Sequence, residues 1–549
     1  MLPYARMRAR RATEAILVFS LSAIAAILFT YPLAFNLGHV GRVNNDDGRW
    51  SIWVVSWVAR TLVVDPLHVF DANVFYPHHD ALAYSENNLG AGLIAMPVYW
   101  ATRNPYAAHN FVVLVAFTLS TAGMYYLAKR LTADRGAAAV AAITFGFCPY
   151  VFARTPHIQL LLTAGLPFTM LAFHALVDRP TAGRGVLLGL ALIATGLTCG
   201  YYGIFAGMMV GLATLVYATS RGQWRTPRYW QAIAIAAALT LIVMALVFQP
   251  YRRVQAETGF ARSLDESQAY AADWRAYLAS SAWAHRWMLP LLSHWNDVLF
   301  PGFISVILGS AGAALALKRR ESRDTIVLYV AIALIAFWAS FGPAGGLYAW
   351  MYDVVPVFSL LRAPARFGIV VSFALSVLCA FSVMHVTRGR RLGAWLAGGL
   401  AVVAAAELAV IPLGWREVEP LAAPYRTLAL LPKGAVVEMP FWYRRSDFPR
   451  HAYYMLNSTA HWQPLINGYS DYIPTDFRDM VILVSSFPTR DSFAILEKLG
   501  ARYAVFHLNF YDRVNRPRVL QRIEEFSPYL RPLAKEGDVW LFEIVGWPR

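Results

Sequence analysis

"GRVNNDDGRWS", residues 41–51, sets two adjacent carboxylates, Asp46 and Asp47, just behind the first long apolar run of the chain, residues 15–34. A run of that length reads as a membrane crossing, because about 20 helical residues span the hydrocarbon core of a bilayer. Asn, Asp and Gly in "NNDDG" favour a turn. The next stretch, "RWSIWVVSWVARTLVV" (49–64), places Trp50, Ile52, Trp53, Val54, Trp57 and Val58 on one apolar face of a helix. That Trp-rich face is expected to lie at the headgroup boundary. The acid pair then sits at the helix N-terminus, where partial positive charge helps hold carboxylates ionised.

Composition extends this reading to the whole chain. Its 549 residues are 58% hydrophobic and 15% charged, and the mean hydropathy is +0.43. A soluble protein carries about a quarter charged residues. Eleven apolar stretches are candidate spans: 15–34, 107–128, 136–153, 158–177, 185–200, 204–220, 230–249, 303–317, 325–341, 367–387 and 392–412. Residues 89–100 are too short to cross and contain Pro97, so they read as a re-entrant or interfacial helix.

Charge fixes the expected orientation. Arg6, Arg8, Arg10 and Arg11 precede the first span, and alternate short loops hold Lys129, Arg130 and Arg135; Arg179 and Arg184; Arg221, Arg225 and Arg228; Lys318, Arg319, Arg320 and Arg323; Arg388, Arg390 and Arg391. Against these nineteen basic residues the same segments hold five acids, Glu14, Asp134, Asp178, Glu321 and Asp324, so they carry +14 of the net +15. By the positive-inside rule these segments are cytoplasmic, with the N-terminus inside and the C-terminus outside. The basic excess thus reflects membrane orientation, and no nucleic-acid partner is implied. "YPLAFNLG" after the first run is not a small-residue cleavage site, so that run is read as a span rather than a signal peptide. Cys148, Cys199 and Cys379 all fall in predicted spans, and no disulfide framework or C-x-x-C metal motif is implied.

The fold class expected is a polytopic α-helical membrane protein of about eleven spans with a C-terminal extracytoplasmic α/β domain. Residues 1–412 form the membrane domain, with exterior loops 35–106 and 250–302, and residues 413–549 form the exterior domain. In that tail 435–441, 501–508 and 538–545 read as strands, being β-branched or aromatic with turn residues at their edges. Residues 476–487, 490–500 and 516–526 read as helices, the second ending on Gly500.

This order of features, with "FYPHHDALAYSENN" (75–88), "FCPYVFARTPHIQLL" (147–161), "FSLLRAPARFG" (358–368) and "INGYSDYIP" (466–474), resembles the C-type glycosyltransferase superfamily. It is most similar to a broad group of bacterial membrane proteins of that type. The superfamily includes polyprenyl-phosphate-sugar-dependent mannosyl-, arabinosyl- and aminoarabinosyltransferases and oligosaccharyltransferases. The resemblance implies a sugar donor on a polyprenyl phosphate or diphosphate. It also implies a glycan, lipid or protein acceptor outside the cytoplasmic membrane, with Asp46 and Asp47 matching the acid that serves as base or metal ligand.

Glycosyl transfer needs a base for the acceptor hydroxyl, positive charge for the leaving phosphate and an apolar groove for the lipid. Asp47, nearer the amphipathic helix, is favoured as base, and Asp46 orients it or binds a cation; the plain alternative is a solvated turn with a helix cap. Arg362 and Arg366, and Arg252 and Arg253, lie on the side that the positive-inside rule depletes, and the planar guanidinium suits phosphate. The plain alternative for both pairs is snorkelling at the interface. His157 and Gln159 enter a span at headgroup depth and are expected to face substrate or a capping network. Tyr201 and Tyr202 read as aromatic-belt residues, and Glu407 is a candidate partner for Arg362. In the first loop Tyr76, His78, His79, Asp80 and Glu86 lie together, and Glu86 is the second-choice acid. Adjacent histidines rarely share one ion, so zinc is disfavoured. A Mg²⁺ or Mn²⁺ ion held by Asp46 or Asp47 and phosphate is the better cation, if one is used. The aromatics and amides of "HWQPLINGYSDYIP" (461–474) suit a sugar or simply pack the tail. Two other classes compete with a transferase: a flippase for a lipid-linked saccharide and a non-catalytic scaffold of envelope polysaccharide assembly.

Overall fold

A computed structural model describes residues 2–292, 297–315 and 322–549, with side chains from residue 12 onward. Lys318, Arg319, Arg320 and Glu321 lie outside the described residues, and so do the side chains of Arg6, Arg8, Arg10 and Arg11. The chain divides into two compact units.

The first unit comprises residues 1–35, 112–248 and 260–413 and is helical. Among the described residues seven helices are long and apolar enough to cross a membrane: Ala12–Phe29, Pro105–Thr132, Arg135–Ala153, Gly200–Ser220, Pro227–Val247, Arg323–Ser340 and Pro364–Thr387. Gly165–Asp178, Ala182–Thr198, Phe303–Ala314 and Gly393–Glu407 are apolar helices below that length. The span expected at 158–177 is interrupted: a short helix Ile158–Leu161 is followed by a break and then by Gly165–Asp178. Pro167 suits the restart, since proline is best tolerated in the first turn of a helix.

Helix Gly368–Thr387 is buried on all sides, which accounts for apolar residues around its whole circumference. A Cβ on Gly312 of helix Phe303–Ala314 would sit 2.0 Å from Leu378 O, so these two backbones touch through a small residue. The three cysteines are buried, and none is in a disulfide among the described residues. Charged residues of the alternate loops meet at one end of the unit. Arg221 Nε donates to Asp324 Oδ2 at 2.6 Å, Arg130 pairs with Asp178, and Lys129 pairs with Glu14.

The second unit comprises residues 36–111, 249–259 and 414–549. The loop 35–106 was expected with the membrane domain, but it folds instead with the tail, and the loop 250–302 is divided between the units. Strand β1 (Val40–Gly41) pairs antiparallel with β2 (Arg416–Glu417). A mixed sheet contains β3 (Ala435–Met439), β4 (Ala501–His507), β5 (Leu530–Glu536) and β6 (Val539–Ile544) in the order β3-β4-β6-β5. The β3–β4 pair is parallel and the other two are antiparallel. Helices Thr475–Val484, Arg490–Lys498 and Asn515–Glu525 occupy the stretches read as helical. β5 was not expected: "LRPLAKE" holds Pro532 and charged residues and is largely exposed, as befits an edge strand.

Helix Asp46–Val64 packs on helix Leu89–Thr102 and on helix His451–Asn457. Its Trp face is therefore covered by protein. Trp50, Trp53 and Trp57 are buried, Trp53 Nε1 donates to Asn73 Oδ1 at 3.1 Å, and Trp57 Nε1 donates to Val69 O at 2.8 Å. The headgroup-boundary position expected for these residues is corrected. An indole satisfied by a buried carbonyl or amide has no need of an interface.

Candidate functional site

The opening turn folds as its composition demands. Asn45 caps helix Asp46–Val64 by accepting from the Gly48 N–H at 3.1 Å, which leaves both aspartates in the first turn. Successive helical residues point about 100° apart, and the two carboxylates take different partners. Asp46 Oδ1 accepts from Arg49 Nη1 at 2.7 Å, and Asp47 Oδ1 accepts from the Tyr469 hydroxyl at 3.3 Å. Carboxylates that diverge do not converge on one divalent cation as hard-ion ligands must, which leaves either one alone, with phosphate, as the cation ligand expected. Among the described residues no group of three or more His, Cys, Asp or Glu side chains is placed to hold a metal.

Two of the motifs that carry the resemblance come together in the second unit. Phe75 N–H donates to Asn467 O at 3.1 Å, Tyr76 N–H to Leu465 O at 2.9 Å, and Tyr472 N–H to Tyr84 O at 3.0 Å. Gly468 is required there: a Cβ would lie 2.6 Å from the Phe75 ring. His78 Nε2 lies 3.0 Å from Asp476 Oδ2, while Tyr76 is 38% exposed. Glu86 is half-buried; its carbonyl accepts from Asn88 Nδ2 at 2.9 Å, and the Tyr251 hydroxyl donates to Ser85 O at 2.7 Å.

Arg253 is committed within the fold. Its Nε and Nη2 donate to the two oxygens of Asp80 at 2.8 and 2.7 Å. Arg252 is exposed. His79 faces Asp71 at 3.6 Å rather than joining His78 on an ion.

The other two motifs meet in the helical unit, on Tyr201 and Tyr202. Arg362 N–H donates to the Tyr201 hydroxyl at 2.8 Å, and the Arg366 guanidinium lies 4.1 Å over the Tyr201 ring. The Arg362 guanidinium lies 4.9 Å over Tyr270. The Tyr202 hydroxyl donates to Leu160 O at 2.6 Å and lies 3.3 Å from the Tyr150 hydroxyl, and Arg154 sits 5.2 Å over the Tyr150 ring. Both tyrosines are buried, so their reading as aromatic-belt residues is corrected.

Arg154, which the sequence reading passed over, forms an ion pair with Asp297. His157 precedes helix Ile158–Leu161, and its N–H donates to Arg154 O at 2.8 Å. Gln159 is 5% exposed, and among the described residues its Oε1 has no hydrogen-bond partner. Glu407 does not pair with Arg362: His285 Nε2 lies 3.0 Å from its Oε1, and Ile304 N–H donates to its Oε2 at 3.1 Å, so it caps helix Phe303–Ala314.

Beside Asp46 the second unit holds a cavity of about 760 Å³. Its charges balance: Asp46, Glu417 and Glu419 stand against Arg49, Arg416 and Arg450. Between them lie Tyr106, Trp442, Tyr453 and Phe510, and the amides of Asn44, Asn457 and Asn509. Tyr425 also lines the cavity, and beneath it is a buried polar cluster. The Tyr425 hydroxyl lies 3.0 Å from Glu438 Oε2 and 3.0 Å from His507 Nε2; those two atoms are 2.8 Å apart, and Asn457 Nδ2 donates to the same hydroxyl at 3.3 Å. Burial pushes the Glu438 carboxyl up against the opposing pull of His507 and Tyr425. Glu438 Oε1 and His507 Nδ1 have no hydrogen-bond partner among the described residues, a cost of about 1–3 kcal/mol for each buried polar atom.

No family model matches the sequence, and no well-described protein matches it by sequence. Solved structures do match by shape. The arabinofuranosyltransferase AftD from Mycobacteria, in a mutant form, aligns with TM-score 0.58 at 15% identity over 96% of this chain. This chain spans 41% of that protein's length. The oligosaccharyltransferase AglB from Archaeoglobus fulgidus, solved with an inhibitory peptide and a dolichol-phosphate, aligns with TM-score 0.49 at 13% identity, over 95% of this chain and 73% of its own. ArnT from Cupriavidus metallidurans, in the apo state, aligns with TM-score 0.47 at 14% identity, over 97% and 98%. The chain is a multi-pass helical membrane protein. Its fold, assigned on the AftD alignment, is that of the C-type glycosyltransferases.

Proposed function

We propose that this protein is a membrane glycosyltransferase that moves a sugar from a polyprenyl-phosphate donor to an acceptor on the extracytoplasmic face of the bacterial cytoplasmic membrane, with the second unit on that face. The observation that carries the assignment of roles is the divergence of the aspartate pair. Asp46 accepts from Arg49 at 2.7 Å, and Asp47 accepts from the Tyr469 hydroxyl at 3.3 Å, so the two carboxylates point to different neighbours. On this reading Asp47 takes the proton of the acceptor hydroxyl as its oxygen attacks the anomeric carbon, and Asp46, held by Arg49, orients the turn. The bond from that carbon to the phosphate oxygen breaks, and the phosphate leaves with the electron pair. Arg362 and Arg366 stabilise the growing phosphate charge. Each guanidinium lies over a tyrosine ring, and its planar fork suits phosphate.

The test is transfer by purified protein from polyprenyl-phosphate sugars. Asp47→Asn is expected to lower the rate by about 10²–10⁴ and Asp46→Asn by far less, with both variants folded. Unchanged transfer in both would leave the flippase or the scaffold.

A further inference from the structure

The cavity beside Asp46 has a chemistry of its own, distinct from the carboxylate assigned as base. Its six charged side chains cancel, so it is not built for a phosphate or a nucleic acid, which call for net positive charge, nor for a strongly cationic peptide. An acyl chain would strip water from those charges and from three amides without replacing a hydrogen bond. What remains is a ligand with apolar faces and many hydroxyl groups. Tyr106, Trp442, Tyr453 and Phe510 offer ring faces and edges, and Asn44 and Asn509 offer paired donors and acceptors. The volume of about 760 Å³ is that of a site for a ligand of several rings.

The floor is held from below. The buried Glu438–His507 pair fixes the Tyr425 hydroxyl, which in turn accepts from Asn457. An apolar pair would fill the sheet without leaving polar atoms unpaired, so the cluster's distinctive effect is to hold the buried Tyr425 hydroxyl, and through it the Asn457 amide, rigidly beneath the cavity. Such preorganisation favours ligand binding by lowering the ordering it requires.

We propose that this cavity is a saccharide-binding site, in which Trp442 and Tyr453 contact sugar ring faces and Asn457 and Asn509 bond hydroxyls, with Tyr425, Glu438 and His507 as positioning residues. Only its designation as the acceptor site, which makes the acceptor a glycan rather than a lipid or a peptide, rests on the transferase reading.

The test applies the full-length protein in nanodiscs to an array of bacterial and synthetic glycans, with tetrapeptides and dispersed diacyl lipids in parallel. The expected result is binding to one class of saccharide. Trp442→Ala and Asn509→Ala should each weaken it about tenfold, a change of about 1.4 kcal/mol. Asn509 is exposed, so Asn509→Ala should leave the unfolding midpoint in place even if Trp442→Ala, which removes a ring stacked 4.8 Å from Tyr454, does not. Tyr425→Phe should weaken binding by a similar factor. No glycan bound at millimolar concentration, or binding indifferent to Asn509→Ala and Trp442→Ala, overturns the proposal. The two readings fail separately. Glycan binding without sugar transfer sinks the transferase and keeps the saccharide site. Transfer to peptide or lipid, with the cavity variants indifferent, does the reverse.

Discussion

Asp46 accepts a hydrogen bond from Arg49 at 2.7 Å across one turn of helix Asp46–Val64, and both side chains are about three-quarters buried, at 29% and 26% exposure. Arg49 in addition lies 5.6 Å over the Tyr453 ring, so it links the acid to the cavity wall. If Arg49 acts by holding Asp46, their substitutions cannot add. Arg49→Gln alone should lower transfer severalfold, and in an Asp46→Asn background it should add less than about twofold. Fully additive losses in this double-mutant cycle would mean that Arg49 touches substrate independently.

Arg253 and Arg366 are both arginines expected from sequence to meet phosphate, yet their surroundings differ in kind. Arg253 forms a two-pronged pair with Asp80 and is half exposed. Arg253→Gln should cost no more than about 1 kcal/mol of stability and leave KM for the polyprenyl-phosphate donor unchanged. Arg366→Lys keeps the charge but loses the planar fork, and should lower kcat/KM by about tenfold or more. Steady-state kinetics on the two variants checks the assignment, and the opposite ranking would return Arg253 to the donor site.

The helices were legible because long apolar runs have few alternatives to helix, and the acid pair because a polar turn behind such a run is conspicuous. What lay beyond reach was what covers each surface. The Trp face of residues 49–64 has the same helical period whether lipid or protein packs on it; only the fold shows Trp53 bonded to Asn73. The same ambiguity hid the interior role of Tyr201 and Tyr202. β5 was missed because an exposed edge strand with a proline lacks alternation. The cavity was illegible for another reason: Arg49, Glu417, Trp442 and Asn509 come from four separate stretches, and no local pattern announces their meeting. The pairing of residues 75–76 with 465–467 is likewise long-range.

Gly92 sits where helix Leu89–Thr102 presses on helix Asp46–Val64. A Cβ there would lie 2.3 Å from Val58 Cγ1 and 2.6 Å from Val58 Cβ. Gly92→Ala should therefore destabilise the protein by about 1–3 kcal/mol through overpacking, despite the better helix propensity of alanine. Val58→Ala opens the same space, so it should recover part of the loss when combined with Gly92→Ala. Thermal unfolding of the two single variants and the double checks this; no recovery in the double would place the strain elsewhere.

His451 makes the second unit sensitive to acid. Its ring is fully buried, its Nε2–H donates to Trp442 O at 3.1 Å, and its Nδ1 accepts from Asn467 Nδ2 at 3.2 Å. Both ring nitrogens are satisfied in the neutral form, and burial pushes the imidazole down to about 4. His461 is pushed down to about 3 by the same cause. Above pH 6.5 the His451 ring is neutral in the folded and unfolded chain alike, and it adds no pH dependence. Between 6.5 and 4 the unfolded chain takes up a proton that the folded chain refuses, so stability falls as pH falls. For His451 alone the loss is on the order of 3 kcal/mol, levelling off below pH 4. His451→Gln can keep one donor and one acceptor without titrating. The unfolding midpoint of the sheet-bearing unit, followed from pH 7.5 to 4.5, should drop in the wild type and drop less in His451→Gln. Equal slopes in the two proteins would mean that the acid sensitivity comes from other groups.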